Sequence, residues 1–243
     1  MENRKKLYEG KAKVLFATDD PEVLVQYFKD DATAFNGVKK GSIHDKGVIN
    51  NMITERLMTI LGVVGIPVHF LQRIGPREQK VRRVEIVPVE LVVRNRVAGS
   101  MAKRLGRTEG ELLPRPVVEF YYKSDPLDDP LITLDHIEVF GWASLAEMAW
   151  IQQTALRIND VLLGYFASIG IHLVDYKLEF GRLGAHPETL VLADEISPDT
   201  CRLWDMKTGK KLDKDRFRRD LGDVAEAYHE VAFRMGLMQP PGA

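Results

Sequence analysis

Asp175, Lys177 and Glu179 stand two positions apart in the run Leu173-Val174-Asp175-Tyr176-Lys177-Leu178-Glu179-Phe180-Gly181. Val174, Tyr176, Leu178 and Phe180 fill the gaps. In an extended strand alternate side chains share a face. The stretch therefore predicts one face of acid, base and acid, and a second face apolar enough to bury. A rise of about 3.3 Å per residue spreads the three charges over about 13 Å. That span suits the phosphates of a nucleotide, or two groups brought together to react. The same alternation also fits an edge strand whose charged face is solvated.

Three other places carry groups of similar promise. Glu9-Gly10-Lys11-Ala12-Lys13 reads as a tight turn between two strands over residues 6–17. Gly10 permits a sharp turn and close approach by a ligand. Lys11 and Lys13 share a side, and two ammonium groups beside a glycine turn suit a polyphosphate. A surface hairpin with solvated lysines fits equally well. Neither a P-loop nor the glycine-rich dinucleotide fingerprint occurs in the chain. Arg94, Arg96, Gly99 and Ser100 precede a short helix over residues 101–105. They combine into an anion pocket, or Ser100 is an ordinary helix cap. Finally, the apolar strand at residues 190–193 runs into Asp194-Glu195-Ile196-Ser197-Pro198-Asp199. The turn between it and the first strand is short, which predicts antiparallel neighbours. Where the register brings Glu179 and Asp194 to one end of that hairpin, two carboxylates would bind magnesium through hard oxygen ligands.

The elements that must position these groups follow from periodicity and turn chemistry. Residues 24–29 and 68–74 read as strands, and residues 39–47 as loop with an exposed His44. Val48, Met52, Ile53, Leu57, Ile60 and Leu61 recur at helical steps, with Gly62 to end the helix. Residues 81–96 form two extended runs joined through Val87-Pro88. A proline cannot donate a ladder hydrogen bond, so it marks an edge, a break or a crossover. Free backbone groups on such a connector suit the edge of a purine base. Residues 114–122 are extended, and Asp125, Asp128 and Asp129 after them could bind a cation, although acidic residues in such loops usually serve as turn formers. Ser144-Leu145-Ala146-Glu147 is a capping box opening a helix to about residue 169, with a stripe from Leu145 to Phe166. A helix of that length backs the main sheet. Residues 182–189 form a turn, residues 202–205 a strand, and residues 213–236 one or two helices.

Composition sets the outer bounds. A chain of 243 residues makes one large domain or two lobes. A net charge of −1 gives no global field for nucleic acid. Cys201, the single cysteine, makes no internal disulfide and reads as packing, and no zinc spacing occurs, since Phe233 stands where a second histidine would complete His229-Glu230. The polar start lacks the core of a signal peptide, and the most apolar run, residues 57–71, is too broken to span a bilayer. These features predict a cytoplasmic protein. Gln239-Pro240-Pro241-Gly242-Ala243 reads as a disordered tail.

Two long blocks, residues 86–100 and 173–181, together with Tyr8-Glu9-Gly10-Lys11-Ala12-Lys13, residues 194–199 with Arg202-Leu203-Trp204-Asp205, and Asp213-Lys214-Asp215-Arg216-Phe217-Arg218, resemble the SAICAR synthetase family of purine biosynthesis. The blocks occur in the family's order and cover the chain from Lys6 to about Leu237. The resemblance implies an α+β fold in two lobes, with antiparallel sheets, flanking helices and an ATP cleft between an N-terminal lobe (residues 1–87) and a C-terminal lobe (residues 88–243). It implies an ATP- and magnesium-dependent ligase that joins L-aspartate to carboxyaminoimidazole ribonucleotide through an acyl phosphate, working as a homodimer. On the same basis Lys11 and Lys13 would hold ATP phosphates, and the backbone of Glu85, Ile86 and Val87 would meet the adenine. Glu179 and Asp194 would carry the metal. Arg94, Ser100 and Arg202 would bind the ribonucleotide's phosphate end, with Lys123 and Arg218 as further substrate contacts. Asp175 and Lys177 would lie by the imidazole and its carboxylate. A small-molecule kinase or a non-catalytic nucleotide-binding module would share the lysines and acids. The protein-kinase catalytic-loop and Asp-Phe-Gly signatures are missing.

Overall fold

The computed structural model describes residues 4–34 and 38–240. Met1-Glu2-Asn3 of the polar start and Pro241-Gly242-Ala243 of the predicted tail lie outside them. The chain opens with β1 (Lys6–Glu9), β2 (Lys13–Ala17) and β3 (Val23–Phe28). A two-stranded ribbon follows, β4 (Asp31–Ala34) and β5 (Lys39–Ser42), where residues 39–47 read as loop. The sequence of β5, Lys-Lys-Gly-Ser, has no apolar alternation, so only its backbone pairing reveals it.

Helix α1 (Lys46–Val63) buries Ile49, Ile53, Leu57, Met58 and Leu61 together with Asn50, Asn51 and Thr54. Its inner face is thus rotated from the expected stripe, because three polar residues on it are invisible to an apolar count. Two of them find backbone partners: Asn51 donates to the Gly75 and Pro76 carbonyls, both at 2.9 Å, and Thr54 to that of Ile196 at 3.3 Å. The helix closes over Val64, and the left-handed turn falls at Gly65 (φ +80°) rather than at Gly62. Strands β6 (Phe70–Arg73) and β7 (Glu78–Arg82) complete a five-stranded sheet in the order β1-β2-β3-β7-β6.

Then β8 (Val84–Arg96) runs through Pro88 as one strand. It is followed by α2 (Gly99–Leu105), β9 (Leu112–Tyr122), β10 (Leu131–Ile132), α3 (Leu134–Val139), α4 (Leu145–Ser168) and β11 (Ile171–Leu183). The chain closes with β12 (Leu190–Ala193), β13 (Cys201–Asp205), α5 (Asp215–Arg218) and α6 (Val224–Arg234). The second sheet has the order β10-β9-β8-β11-β12, with β13 also on β11, and every ladder in it is antiparallel. Pro88 sits in a bulge: between the pairs Glu179–Glu90 and Gly181–Ile86, Phe180 alone faces Val87, Pro88 and Val89. A bulge is where a strand tolerates a residue without a donor. The expected break is therefore local, and the strand continues. The first two residues of the predicted 182–189 turn, Arg182 and Leu183, belong to β11.

Strand β11 is the centre of this sheet. Its even-numbered face packs on α4, where Trp150 meets Phe180 edge-on at 6.0 Å and the Tyr176 hydroxyl donates to the Ala155 carbonyl at 3.3 Å. The capping box is present: Ser144 Oγ accepts from the Glu147 amide at 3.2 Å, and the Glu147 carboxylate accepts from the Ser144 amide at 2.8 Å. Met148, Ile151, Ala155, Ile158, Leu162 and Phe166 form the buried stripe of α4. Leu162 is fully buried in that core. Leu162→Ala should cost about 2–5 kcal/mol, seen as a lower urea midpoint with an unchanged slope.

Candidate active site between the two sheets

The odd-numbered face of β11 forms the floor of a cleft of about 1280 Å³. One wall carries Lys13, Leu15, Leu24 and Val81 from the five-stranded sheet, and the other Ile86, Glu90 and Val92 from β8. Register sets the order of groups along the floor: Asp175 pairs with Arg94, Lys177 with Val92, and Glu179 with Glu90. The two carboxylates are not solvated, since Asp175 is 3% exposed and Glu179 6%, while Lys177 between them is half-buried.

At one end, lysines and carboxylates interleave. Glu179 pairs with Ala193 across the hairpin, so Asp194 is the next residue beyond the ladder, and both side chains line the cleft. Lys13 forms ion pairs with Asp194 and, at 2.9 Å, with Glu195. Glu179 accepts from Lys123 at 2.6 Å and Lys177 at 3.0 Å, while Glu90 takes Lys177 at 2.8 Å and a longer contact from Lys123 at 3.4 Å. Burial opposes the charge of Glu179, but Lys177 and Lys123 outweigh it and hold the carboxyl well below its usual range. Burial likewise opposes the charge of Lys13, and Asp194 and Glu195 outweigh it, so Lys13 stays protonated far into the alkaline range. His69 is buried beside them, and burial pushes it down to about 4, which leaves it neutral at pH 7. Glu179 and Asp194 offer hard oxygen donors, the set Mg²⁺ takes beside phosphate oxygens. Among the described residues no three His, Cys, Asp or Glu side chains converge as a complete metal cage.

At the other end, arginines surround Asp175. Arg94 donates to Asp175 at 2.5 Å, Glu119 at 2.6 Å, Ser100 at 3.1 Å and Tyr121 at 3.2 Å. Arg202 reaches Asp175 at 2.9 Å and Asp215 at 2.9 Å, and Arg218 reaches Asp215 at 2.7 Å. Burial opposes the charge of Asp215, but Arg202 and Arg218 bring it down to about 2. Gly99 is required by its neighbour: at φ +52°, an added Cβ would lie 2.4 Å from an Arg202 nitrogen. Ser100 lies inside the first turn of α2 with no capping bond, and its hydroxyl serves Arg94 instead.

The remaining expected residues divide between the cleft and its rim. Lys11 lines the mouth and pairs with Asp125 at 2.7 Å, apart from Lys13's partners. Lys123, Lys177, Arg94, Arg202 and Arg218 all line the cleft. Ile86 faces it, whereas Glu85 and Val87 alternate away and offer only backbone, on a strand whose ladder to β9 begins at Val89. Sequence reasoning left out Glu90, Glu119, Glu195, Asp215 and His69. Glu90 shares the alternation of Arg94, and Glu195 and Asp215 stand inside blocks already quoted, so a signal existed for those three. His69 interrupts an apolar run and gave none. Also unforeseen is Lys46, 1% exposed, bonded at 2.7 Å to Asp199, which takes the Tyr228 hydroxyl at 2.5 Å.

The profile of SAICAR synthetases matches residues 6–235. The chain belongs to the SAICAR synthetase family. A phosphoribosylaminoimidazole-succinocarboxamide synthase of Magnetococcus marinus is 67% identical over 240 residues, 99% of each chain. That of Ehrlichia chaffeensis, a crystal structure, superposes with a TM-score of 0.95 at 48% identity, over 96% of this chain and 99% of that one. A SAICAR synthetase solved in complex with ADP has a TM-score of 0.92 at 48% identity, over 96% and 98%. As a member of this family of ligases, the protein is an enzyme, and its α+β fold with antiparallel sheets is the family's fold.

The lysine–carboxylate end has a pH signature. The folded value of Glu179 lies below its unfolded value, so its contribution is complete above the ordinary carboxylate range and is lost as pH falls through the folded value. Removing Lys177 raises that folded value, and the loss then begins at higher pH. Lys177→Met should therefore move the acid-unfolding midpoint upward when followed by circular dichroism. An unmoved midpoint would show that Lys177 does not set the charge of Glu179.

Proposed function

We propose that the cleft joins L-aspartate to the carboxylate of carboxyaminoimidazole ribonucleotide at the expense of ATP, giving SAICAR, ADP and phosphate in purine biosynthesis. The observation that carries this reading is the single strand β11, which links a lysine–carboxylate end at Glu179 to an arginine end at Asp175. One end suits a phosphoryl donor and the other a phosphorylated acceptor. That a relative at 48% identity was solved in complex with ADP supports nucleotide binding by this chain.

The residues 1–87 then supply an ATP-binding lobe, and 88–243 the acceptor lobe, with β8 crossing between them. Leu15, Leu24, Val81 and Ile86 form an apolar wall for adenine, and the backbone of residues 85–87 offers its edge hydrogen bonds. Lys13, with Lys11 at the mouth, neutralises the phosphates. Mg²⁺, held by Glu179 and Asp194, would supply further neutralisation of the triphosphate. Arg202 and Arg218, with Ser100 and Arg94 behind them, hold the ribonucleotide's phosphate end. Asp175 lies beside the imidazole and fixes both guanidiniums, and Lys177 and Lys123 draw the acceptor carboxylate towards the donor.

A carboxylate oxygen is a poor leaving group. Its attack on the γ-phosphorus breaks the bond to the bridging oxygen of ADP and forms an acyl phosphate. The aspartate amine then attacks the carbonyl carbon, the bond to phosphate breaks, and one proton is released. The chain's part is positioning and charge stabilisation. In keeping with this, Cys201 is no nucleophile, since burial pushes its thiol far up. The reading places the protein in the cytoplasm as a homodimer. Among the described residues, no helix is long and apolar enough to cross a membrane.

ADP release should require all three substrates together, and formation of a stable phosphorylated product without aspartate would instead favour a small-molecule kinase. Asp194→Asn should lower kcat by about a hundredfold or more with little loss of fold; near-normal turnover would sink the metal assignment. Arg202→Ala should raise the ribonucleotide KM at least about tenfold, as expected for a lost charged hydrogen bond, and leave that for ATP nearly unchanged. Equal effects on both would refute the arginine end as the acceptor site.

A further inference from the structure

Asp194 adopts the left-handed conformation, φ +60°, uncommon for a residue with a side chain. Its carbonyl lies one position beyond the last pair of the β11–β12 ladder, Glu179–Ala193, so it gains no partner from that ladder. A carbonyl held half-buried needs a partner. His69 provides it: Nε2 lies 3.0 Å from the Asp194 carbonyl oxygen, and His69 is 3% exposed.

His69 is itself tied to both sheets. Its amide donates to the Leu192 carbonyl at 2.8 Å, and its carbonyl accepts from the Arg82 amide at 2.7 Å. The Leu192 amide donates to Pro67 at 2.8 Å, and Val68 bridges to Leu192 in parallel. The segment 67–69 thus grips β12 through its backbone and the residue after β12 through one ring. Arg82 belongs to β7, in the sheet that also carries Lys13.

We propose that His69 is a positioning residue for the nucleotide–metal end of the site: its Nε2–H holds the Asp194 peptide in the left-handed turn and so aims the Asp194 carboxylate between Lys13 and Glu179. The inference rests on the reading of Asp194 as a metal-holding carboxylate. The neutral Nε2 tautomer and the imidazolium both carry the needed proton, so no titration is involved. A side chain of similar bulk without an N–H fills the space but leaves the carbonyl unpaired. Asp194 then loses what keeps its backbone in an unfavourable region. Hydrogen-bonded supports of this kind typically change metal affinity by about 10–100-fold.

The test is Mn²⁺ affinity of the full chain with ADP present, measured by electron paramagnetic resonance. His69→Leu should weaken Mn²⁺ binding by about tenfold or more, with the ribonucleotide KM nearly unchanged. His69→Gln, which keeps a side-chain N–H, should stay close to the wild type. Wild-type affinity in His69→Leu overturns the proposal, as does a loss in folded His69→Gln as large as that in His69→Leu. Should His69→Leu not fold, a tenfold loss in folded His69→Gln overturns it alone, and near-wild-type binding there supports it. Asp194→Asn separates the two readings. Normal Mn²⁺ binding in that variant would remove the metal assignment itself. The bracket is then judged by amide exchange at residues 194–196, faster in His69→Leu if His69 holds the turn and unchanged if it does not.

Discussion

The burial of carboxylates on one strand is the constraint on which the structure depends. Asp175 and Glu179 face inward on β11 at 3% and 6% exposure. An ionised carboxylate survives such a place only when cations and hydrogen bonds surround it. Those cations come from separate parts of the chain: Arg94 from β8, Arg202 from β13, Lys123 from the segment after β9, and Lys177 from β11 itself. Neutralising one strand thus requires β8, β11 and β13 to be in register together. The site and the sheet are the same construction.

That arrangement gives the cleft two ends of different character. Around Asp175 the guanidiniums are fixed, planar and already hydrogen-bonded, which suits holding an anion in a set orientation. Around Glu179 the cations are lysines, point charges on flexible stems. In the proposed reaction these would follow a phosphoryl group as it moves between donor and acceptor. Arg94 is the extreme case at the rigid end: Asp175, Glu119, Ser100 and Tyr121 take its donors. Arg94 still lines the cleft, although it is only 2% exposed.

What was legible in the sequence was local. The capping box at Ser144 and the stripe of α4 depend on neighbours within a turn or two, and both stand where periodicity places them except at Leu145, which is 47% exposed in the first turn. The alternation in β11 correctly sorted its residues between two faces. It could not say what covers the charged face, because Asp175 meets Arg94 at a separation of 81 residues and Arg202 at 27. The convergence of Glu179 and Asp194 turned on a register that hydrophobicity does not encode, and the ladder from Glu179 to Ala193 supplies it. Pro88 looked like a break since a proline lacks a donor, yet the bulge opposite Phe180 absorbs it. The inner face of α1 was misjudged because Asn50, Asn51 and Thr54 are buried there. His69 had no local signature, as its ring meets the carbonyl of Asp194, 125 residues away and just past the end of β12.

The proposed reaction turns on activation of the acceptor's carboxylate by phosphorylation before the bound amine attacks it. Its most direct test is the fate of oxygen. Carboxyaminoimidazole ribonucleotide labelled with ¹⁸O in that carboxylate is turned over with ATP and L-aspartate, and the phosphate released is weighed by mass spectrometry. An acyl phosphate transfers one labelled oxygen to each phosphate formed. Phosphate without label would contradict the account.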